Sequence, residues 1–429
     1  MVYRLIRHVG VCGLVACLPV FGADWPNFLG PNGTNIVDEG GLARTWPAGG
    51  PEVLWEHSVG EGFGGCAVSG GEVFLLDRKD SARDELRCFA LGTGEELWSY
   101  TYDAPGKFSF NGSRSTPSID GSFVFTVGPL GHLTCISRSE RKAVWSAHLL
   151  DDFGGKRPTW VVAQSPLLYK DQVIVAPQGT EAGVVSFRKA TGEVVWRSAP
   201  VASAMSYASP LLTTLGGIEQ VVILSGKAPS GTTVTGIDAT SGAILWQYQG
   251  GWQCKIPIPS PVFIGDGRIF LTGEYGAGSA MIRVTKKGDG FEVEELFCTQ
   301  VCGSQLQQPL LHDGHLYLNS NGNKRRDGFV CIDLEGNLKW KTGRDPNFER
   351  GAMIMSSSGL IYAQNGRTGD LALIEASPKG FKMLCKAGIF AAESKRKRGK
   401  QAWGPLVLVE GKLLIRDQSL LKCLDVTAK

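Results

Sequence analysis

The sequence predicts an all-β fold: an eight-bladed β-propeller built from four-stranded antiparallel blades. The first observation is that tryptophans recur at intervals of 43, 47, 51 and 50 residues, followed by an interval of 94, which is two steps of 47. The second is that most of them end the same short phrase. A period of about 40 to 50 residues, with turn signals between short apolar runs, is typical of propellers with one blade per repeat. The spaced tryptophans are Trp55, Trp98, Trp145, Trp196, Trp246 and Trp340.

The other strands of each repeat follow in a regular order. A small residue and a proline begin the unit, as in Ser260-Pro261. A Gly or Asp turn and a β-rich run come next, and a third strand follows, such as Leu133-Thr134-Cys135-Ile136. The phrase Thr191-Gly192-Glu193-Val194-Val195-Trp196 then supplies a hairpin turn and the fourth strand.

The two ends of the chain supply complementary parts of one blade. The last unit, from Trp403 to Val426, contains three strands and ends before its tryptophan strand. The first tryptophan strand, around Trp55, has no blade before it. Joining the two gives eight complete blades and removes both exposed sheet edges. We therefore expect a ring closed by the N-terminal strand.

Composition indicates a single globular domain over residues 24–429. The 429 residues include 57 glycines, 43% are hydrophobic, and the net charge is only +3. Residues 1–23 are expected to be a signal peptide, since Arg4 and Arg7 precede an apolar run. The alternative is a lipoprotein signal in which Cys17 becomes the lipidated first residue. Both alternatives predict export to the periplasm or the extracellular space, and the lipoprotein alternative adds a membrane anchor. No other stretch is long enough to span a membrane.

Cysteine and histidine patterns suggest neither a metal site nor a disulfide framework. Four cysteines occupy the same position in the third strand of their blades, where small core residues are expected. Cys298 and Cys302 are the one close pair, and a local disulfide between them is the alternative. His312 and His315 resemble a metal pair but fall in a predicted turn. The four equivalent cysteines are Cys88, Cys135, Cys331 and Cys423.

The repeats resemble those of the PQQ-like (pyrroloquinoline-quinone-type) propeller family over essentially the whole chain after residue 23. A full copy of the repeat phrase is Asp238-Ala239-Thr240-Ser241-Gly242-Ala243-Ile244-Leu245-Trp246. The opening Asp24-Trp25-Pro26-Asn27-Phe28-Leu29-Gly30-Pro31 resembles the start of exported PQQ-like propellers from planctomycete-type bacteria. The family contains quinone-dependent alcohol dehydrogenases. It also contains the propeller lipoprotein of the bacterial outer-membrane barrel-assembly machinery, which binds no quinone.

The resemblance leaves two functional expectations. The dehydrogenases hold their quinone between a tryptophan and a disulfide of adjacent cysteines, and they bind Ca²⁺ through Glu, Asn and Asp. This sequence has no Cys-Cys pair and no Cys-x-x-Cys-His motif. We therefore expect no catalytic residues, no metal and no cofactor. The alternative is a divergent PQQ-dependent alcohol dehydrogenase that uses PQQ with Ca²⁺.

Two sets of side chains are candidates for binding. Residues just before each small-Pro phrase should meet at one mouth of the central channel, where aromatic, amide and cationic groups suit a planar or anionic ligand. A basic loop precedes the last blade and could contact an anionic surface. The mouth candidates are Phe63, Arg114, Trp160, Gln164, Tyr207, Lys255, Gln307, Arg350 and Trp403. The basic loop contains Lys395, Arg396, Lys397, Arg398 and Lys400.

These features predict an exported scaffold of the cell envelope that binds either a protein partner or a small anionic or planar ligand. Nucleic acid is not expected, because the overall charge is nearly balanced and the chain is expected to be exported. A monomer is expected.

Overall fold

The computed structural model describes residues 24–201, 204–228, 231–390 and 401–429. Within these ranges every regular element is a β-strand, and the strands form eight antiparallel sheets of four, one of which has an extra strand. The prediction of an all-β, eight-bladed propeller is confirmed. We call the first strand of each blade its inner strand and the fourth its outer strand. Two N-terminal strands, β1 (Ile36–Val37) and β2 (Glu52–Ser58), join blades from the C-terminal part of the chain.

The first four blades follow one another along the chain. Blade 1 consists of β3 (Ala67–Ser69), β4 (Glu72–Lys79), β5 (Arg83–Ala90) and β6 (Glu96–Asp103). Blade 2 consists of β7 (Ser118–Asp120), β8 (Phe123–Val127), β9 (His132–Ser137) and β10 (Lys142–His148). Blade 3 consists of β11 (Leu167–Tyr169), β12 (Gln172–Val175), β13 (Val185–Arg188) and β14 (Val194–Arg197). Blade 4 consists of β15 (Leu211–Leu215), β16 (Ile218–Ala228), β17 (Gly231–Asp238) and β18 (Ile244–Tyr248).

The last four blades complete the ring. Blade 5 consists of β19 (Val262–Gly265), β20 (Arg268–Gly273), β21 (Gly278–Lys287) and β22 (Gly290–Thr299). Blade 6 consists of β23 (Leu310–His312), β24 (His315–Asn321), β25 (Arg326–Asp333) and β26 (Leu338–Lys341). Blade 7 consists of β27 (Met353–Ser356), β28 (Leu360–Gln364), β29 (Asp370–Glu375) and β30 (Lys382–Gly388). Blade 8 consists of β31 (Val407–Val409), β32 (Lys412–Arg416), β33 (Leu420–Asp425) and β2.

The ring is closed by the N-terminal strand, as predicted. Strand β2 pairs antiparallel with β33, and Trp55 lies opposite Cys423. The first and last parts of the chain therefore share one blade, and β2 covers the edge of β33 that would otherwise be free. Within the described part of the chain, no helix has the length and apolar character needed to cross a membrane.

The repeated tryptophan packs on the glycine of the next blade's turn. A Cβ atom at Gly192 would lie 2.6 Å from the indole of Trp145, and one at Gly242 would lie 2.5 Å from that of Trp196. Both glycines have positive φ, +76° and +77°. The indole nitrogen of Trp145 also donates to the carbonyl oxygen of Lys189 at 2.8 Å. The glycine and the tryptophan that recur in the repeat phrase thus form one contact between neighbouring blades.

Each outer strand also carries an irregularity beside its tryptophan position. In β10 the register shifts between Ala143 and Trp145, so that Val144 has no partner on β9. Equivalent shifts occur in all eight blades of the described structure. A β-bulge bends and twists the strand that contains it, which makes the outer edges of the blades poor templates for pairing with another chain.

The chain before the ring crosses one end of the channel. Trp25 exchanges backbone hydrogen bonds with Val68 of blade 1 at 2.9 and 2.8 Å. Strand β1 pairs in parallel with β27, on the channel side of blade 7. Residues 24–37, which we call the floor segment, therefore reach from one side of the ring to the other. The repeat pattern did not predict this crossing or the additional strand.

The third-strand cysteines lie in the core, as the sequence predicted. All four third-strand cysteines are buried, which confirms their assignment as core residues. Cys298 and Cys302 are both free thiols, the first exposed and the second buried, so the structure contains no disulfide between them. The proposed lipidation site Cys17 and the basic loop at 395–400 lie outside the described residues.

Candidate functional site

A pocket of about 240 Å³ opens at the channel mouth, where the segments preceding the inner strands converge. We call this end the mouth and the opposite end, crossed by the floor segment, the base. The pocket includes seven of the nine mouth candidates from the sequence. They are Phe63, Arg114, Trp160, Tyr207, Gln307, Arg350 and Trp403.

Four of these side chains, from four consecutive blades, form a continuous stack. The guanidinium of Arg114 lies 5.3 Å from the centroid of the Phe63 ring. The rings of Phe63 and Trp403 are 5.5 Å apart, and the guanidinium of Arg350 lies 5.3 Å from the Trp403 ring. We call Arg114, Phe63, Trp403 and Arg350 the cation–aromatic arc. Stacking on aromatic faces holds the two cations in place while leaving them charged.

The opposite wall of the mouth carries a second aromatic pair. The rings of Trp160 and Tyr207 have centroids 5.7 Å apart, and the Tyr207 hydroxyl accepts a hydrogen bond from the Trp160 backbone N–H at 3.2 Å. Between this pair and the arc, the side-chain amide of Gln307 donates to the carbonyl oxygens of Arg350 and Trp403, both at 3.3 Å. The mouth therefore combines flat apolar faces with fixed polar groups, the usual composition of a small-molecule site.

Two mouth candidates do not line the pocket. Gln164 is buried, and its amide bonds both the N–H and the carbonyl oxygen of Ala176 at 2.7 Å, which ties the start of an inner strand to its neighbour. Lys255 is exposed, and in its blade the pocket is lined instead by Ile258 and Ser260. The eightfold alignment placed these positions at the mouth, but the connecting segments before the inner strands differ in length and path from blade to blade.

Several lining residues were not found from the sequence. Phe110 packs 5.8 Å from Trp403 and 6.4 Å from Phe63, and it belongs to the connection between blades 1 and 2. Tyr275 also lines the pocket, and it lies in the turn between β20 and β21. Both residues have positive φ, +55° and +59°, which is uncommon for aromatic side chains. Backbone in this region tends to collect at functional sites, and no repeat pattern signals it.

Arg350 is held by a network of polar side chains. Its Nε donates to Gln305 at 2.7 Å, and another guanidinium nitrogen donates to Asn323. The amides of Asn323 and Gln305 in turn donate to the Tyr275 hydroxyl at 2.7 and 3.1 Å. Because every partner is a neutral oxygen, these contacts orient the cation without neutralising it.

The loop that carries Phe110 and Arg114 is fixed by a buried ion pair. Arg78 donates to Asp84 at 2.7 Å, and both side chains are 0% exposed. The same guanidinium donates to the carbonyl oxygens of Ala104 and Gly106 at 2.8 and 2.7 Å. It also lies 4.9 Å from the Phe108 ring. Arg78 therefore positions the loop 104–117 from beneath, without itself lining the pocket.

The pocket is cationic at neutral pH. Burial lowers the pKa of Arg114 to about 10, and it also lowers the pKa of Arg350, but both groups stay protonated near pH 7. Burial raises the pKa of Tyr207 and of Tyr275, so their phenols are neutral. None of the described residues that line the pocket is an aspartate or a glutamate. Arg114 and Arg350 therefore place two positive charges on the wall that an entering anion would meet.

The residues fit a planar anion better than they fit the metal of the dehydrogenases. Glu274, next to Tyr275, is 3% exposed, and its oxygens accept from the backbone N–H groups of Tyr275 and Lys324. No group of three or more His, Cys, Asp or Glu among residues 24–201, 204–228, 231–390 and 401–429 is arranged to hold a metal ion. Hard cations such as Ca²⁺ require several oxygen ligands, and the lining residues offer no carboxylate. His312 and His315 face each other across the two-residue turn between β23 and β24.

Comparison with known sequences relates the chain to one family. Residues 82–342 match the family model described as outer membrane protein assembly factor BamB. No curated protein sequence matches the chain significantly.

Comparison with solved structures finds the same fold. BamB from Moraxella catarrhalis superposes with a TM-score of 0.57 and 15% identity, covering 87% of this chain and 96% of that one. A europium-containing methanol dehydrogenase gives a TM-score of 0.63 at 13% identity, covering 92% and 89%. The quinohemoprotein alcohol dehydrogenase from Comamonas testosteroni gives 0.63 at 10% identity, covering 95% and 81%. At these identities the similarity establishes the fold alone.

Proposed function

Because this chain belongs to the family whose model describes outer membrane protein assembly factor BamB, we propose that it is a non-catalytic binding module of the cell envelope. Its channel mouth captures a small organic anion with a planar aromatic ring. The proposal rests on the site rather than on the fold, since propellers of this type carry unrelated functions.

The observation that carries the proposal is the cation–aromatic arc. Two guanidinium groups flank two aromatic rings around one side of a concave pocket, and a second aromatic pair faces them. A planar ring can lie against the aromatic faces while its acid group pairs with Arg114 or Arg350. The polar groups are already held by hydrogen bonds, so little ordering cost accompanies binding.

Binding without chemistry is favoured by the composition of the pocket. Acid–base catalysis needs a titratable group near the working pH within reach of the substrate. The titratable side chains among the described lining residues are arginines and tyrosines. Throughout the neutral pH range the arginines are charged and the tyrosines are uncharged. The carboxylate of Glu274, next to Tyr275, does not line the pocket and accepts hydrogen bonds from two backbone N–H groups. The pocket can hold an anion, but it presents no group suited to moving a proton.

Calorimetric titration of the purified chain with 2-naphthoate tests the proposal. We expect saturable binding that weakens by about tenfold or more in Arg350→Gln, the size of a lost charged hydrogen bond. Lys255→Gln is the matched control. It also removes a cation from the propeller ring, but Lys255 is exposed and does not line the pocket. The neutral analogue 2-naphthalenemethanol should bind much more weakly. Equal binding of the acid and the alcohol would contradict an anion site.

The alternative function is that of a divergent quinone-dependent alcohol dehydrogenase. An assay of alcohol oxidation distinguishes it from a non-catalytic binding module. The chain is incubated with PQQ, Ca²⁺, a panel of primary alcohols and an artificial electron acceptor. Reduction of the acceptor that depends on both PQQ and alcohol, and that is lost in Trp403→Ala, would overturn the non-catalytic proposal. Under our proposal no acceptor is reduced, whether or not PQQ enters the pocket.

The envelope location is also a proposal. It is supported by the Arg4 and Arg7 residues before an apolar run and by the family description. Expression of the full-length chain in a Gram-negative host, followed by fractionation, should place it outside the cytoplasm. A Cys17→Ser variant distinguishes the two forms of export, since a lipidated chain would move from the membrane fraction to the soluble fraction. Retention in the cytoplasm would contradict both.

A further inference from the structure

The floor segment closes the channel at a fixed depth. The inner-strand residues that anchor it are Val68, Ile119 and Met355. Each stands five residues after a mouth residue: Phe63, Arg114 and Arg350 respectively. Three separate blades therefore place the same segment at the same distance below the mouth, at most roughly 17 Å along the strand direction. We call this pocket, open at the mouth and lined at its base by the floor segment, the cup.

The floor is built into the fold and does not rest loosely on it. The side-chain amide of Asn35 donates to the carbonyl oxygen of Met353, and its backbone N–H donates to Leu29 at 2.9 Å. Trp25 is 2% exposed and packs on Gly30, where a Cβ atom would lie 2.8 Å from the indole. The phrase that begins at Asp24 thus has a structural meaning: its Trp25 packs on its Gly30, and Phe28 and Leu29 between them line the pocket.

The two ends of the cup differ in chemistry. Its cations, Arg114 and Arg350, stand at the mouth with the amide and phenol groups that hold Arg350. The floor segment contributes Phe28 and Leu29 to the lining. Its one polar lining residue is Asn35, whose side-chain amide N–H donates to the carbonyl oxygen of Met353. No described residue of the floor that lines the pocket carries a charge. The charges of the described lining residues are therefore confined to the rim, over a floor that is apolar apart from Asn35.

We propose that the cup selects an amphiphilic anion, a ligand whose acid group stays at the rim while its apolar end points at Phe28 and Leu29. This inference rests on the anion-binding function proposed above and adds the orientation and the exclusion it implies. A ligand with a charged group at each end would have to bury one charge against the apolar floor, with no partner to receive it. The volume of about 240 Å³ lies just below the range of drug-sized sites, which suits one or two fused rings.

A pair of ligands with the same ring system tests the orientation. The purified chain is titrated with 2-naphthoate and with naphthalene-2,6-dicarboxylate, which differs by a second carboxylate at the far end. We expect the dicarboxylate to bind at least about tenfold more weakly, because its second charge would lose its hydration at the floor. Comparable affinities for the two ligands would overturn the inference while leaving the anion site intact.

A charge added to the floor should reverse the preference. In Phe28→Arg the dicarboxylate gains a partner, so its affinity should rise relative to 2-naphthoate by about tenfold or more. Phe28→Gln is the matched control, since it is polar but uncharged and should leave 2-naphthoate preferred. Melting temperatures of both variants close to the parent verify that the floor still folds. An unchanged ligand ratio in folded Phe28→Arg would contradict the inference.

The two levels of the proposal fail differently. If neither ligand binds the parent chain, or if Arg350→Gln has no effect on either, the anion-binding function itself is overturned, and the orientation with it. If both ligands bind, both depend on Arg350, and neither responds to Phe28→Arg, only the oriented cup is wrong.

Discussion

The seams between the blades and the channel mouth are built in opposite ways. At the seams one arrangement recurs: a tryptophan of one blade packs on a positive-φ glycine of the next, as Trp145 does on Gly192 and Trp196 does on Gly242. At the mouth, equivalent positions in successive blades carry different side chains, such as Phe63, Arg114 and Tyr207. Repetition marks where the fold is held together, and its absence marks where a specific ligand can be recognised.

The difference also appears in how each region is supported. A seam between two blades is held by the tryptophan and the glycine of the repeat phrase, so each copy of the phrase supplies its own contact. The mouth needs groups outside the repeat, such as the Arg78–Asp84 pair under the loop 104–117 and the amides around Arg350. These supports occur once each, and loss of one should not be compensated by the other blades.

Removing the support of the mouth loop should have the largest effect. Arg78→Met leaves Asp84 buried without its partner, which should lower the free energy of unfolding by about 3–5 kcal/mol. Anion binding should also be lost, since the loop carries Phe110 and Arg114. Urea denaturation and calorimetric titration measure the two effects. Arg188→Met, which breaks an exposed pair with Asp171, is the control and should cost less than about 1 kcal/mol.

Two tryptophans of the same size should give opposite results. Trp196→Ala at a seam should cost about 3–5 kcal/mol, because a side chain that is 7% exposed leaves a cavity. Trp403→Ala at the mouth should cost about 1 kcal/mol or less, yet abolish 2-naphthoate binding. Melting temperature and titration of both variants verify the contrast. A large loss of stability in Trp403→Ala would show that the arc belongs to the scaffold.

A pair of glycines with the same backbone angle isolates the seam contact. Gly192 and Gly71 both have φ of +76°, but a Cβ atom at Gly71 would meet nothing within 4 Å. Gly192→Ala should lower stability by about 2–4 kcal/mol, through strain and overpacking against Trp145. Gly71→Ala should show the strain alone, about 1 kcal/mol. Equal costs in thermal denaturation would mean that the tryptophan contact contributes nothing.

The smallest effect is expected from pH. Burial, together with nearby His148, lowers the pKa of His132. Since the folded state holds this ring neutral, its contribution to stability is complete above the ordinary histidine pKa and is lost as pH falls through the lower folded value. The melting temperature of the parent should therefore drop more between about pH 7.5 and about pH 5 than that of His132→Phe, which cannot titrate. Parallel pH profiles would contradict this assignment.

The sequence predicted the repeated part of the structure well. The tryptophan spacing, the turn phrase and the incomplete units at the two ends were enough for eight blades closed around Trp55. Seven of the nine mouth candidates line the pocket, because the phase of a repeat carries over from blade to blade. Gln164 and Lys255 fell outside it, because their connecting segments follow their own paths.

The non-repeating part could not be predicted in the same way. Phe110 and Tyr275 reach the mouth through positive-φ turns, and Arg78 acts on a loop that follows it by more than 25 residues. The floor segment was visible as a phrase, but its path across the channel depends on backbone hydrogen bonds to three different blades. None of these contacts has a local period or motif that would reveal it.

By itself, the sequence determined the propeller, its closure and the ring of positions that face the mouth. These depend on short-range rules, turn glycines, alternating strands and a tryptophan per repeat, which act within a blade or between neighbours. The tertiary structure alone decided that the floor segment lines the base of the cup, that four side chains from consecutive blades stack in one arc, and that charge stands at the rim over an apolar floor. Those features bring together residues up to about 340 positions apart in the chain, such as Phe63 and Trp403, and only the closed ring puts them in contact.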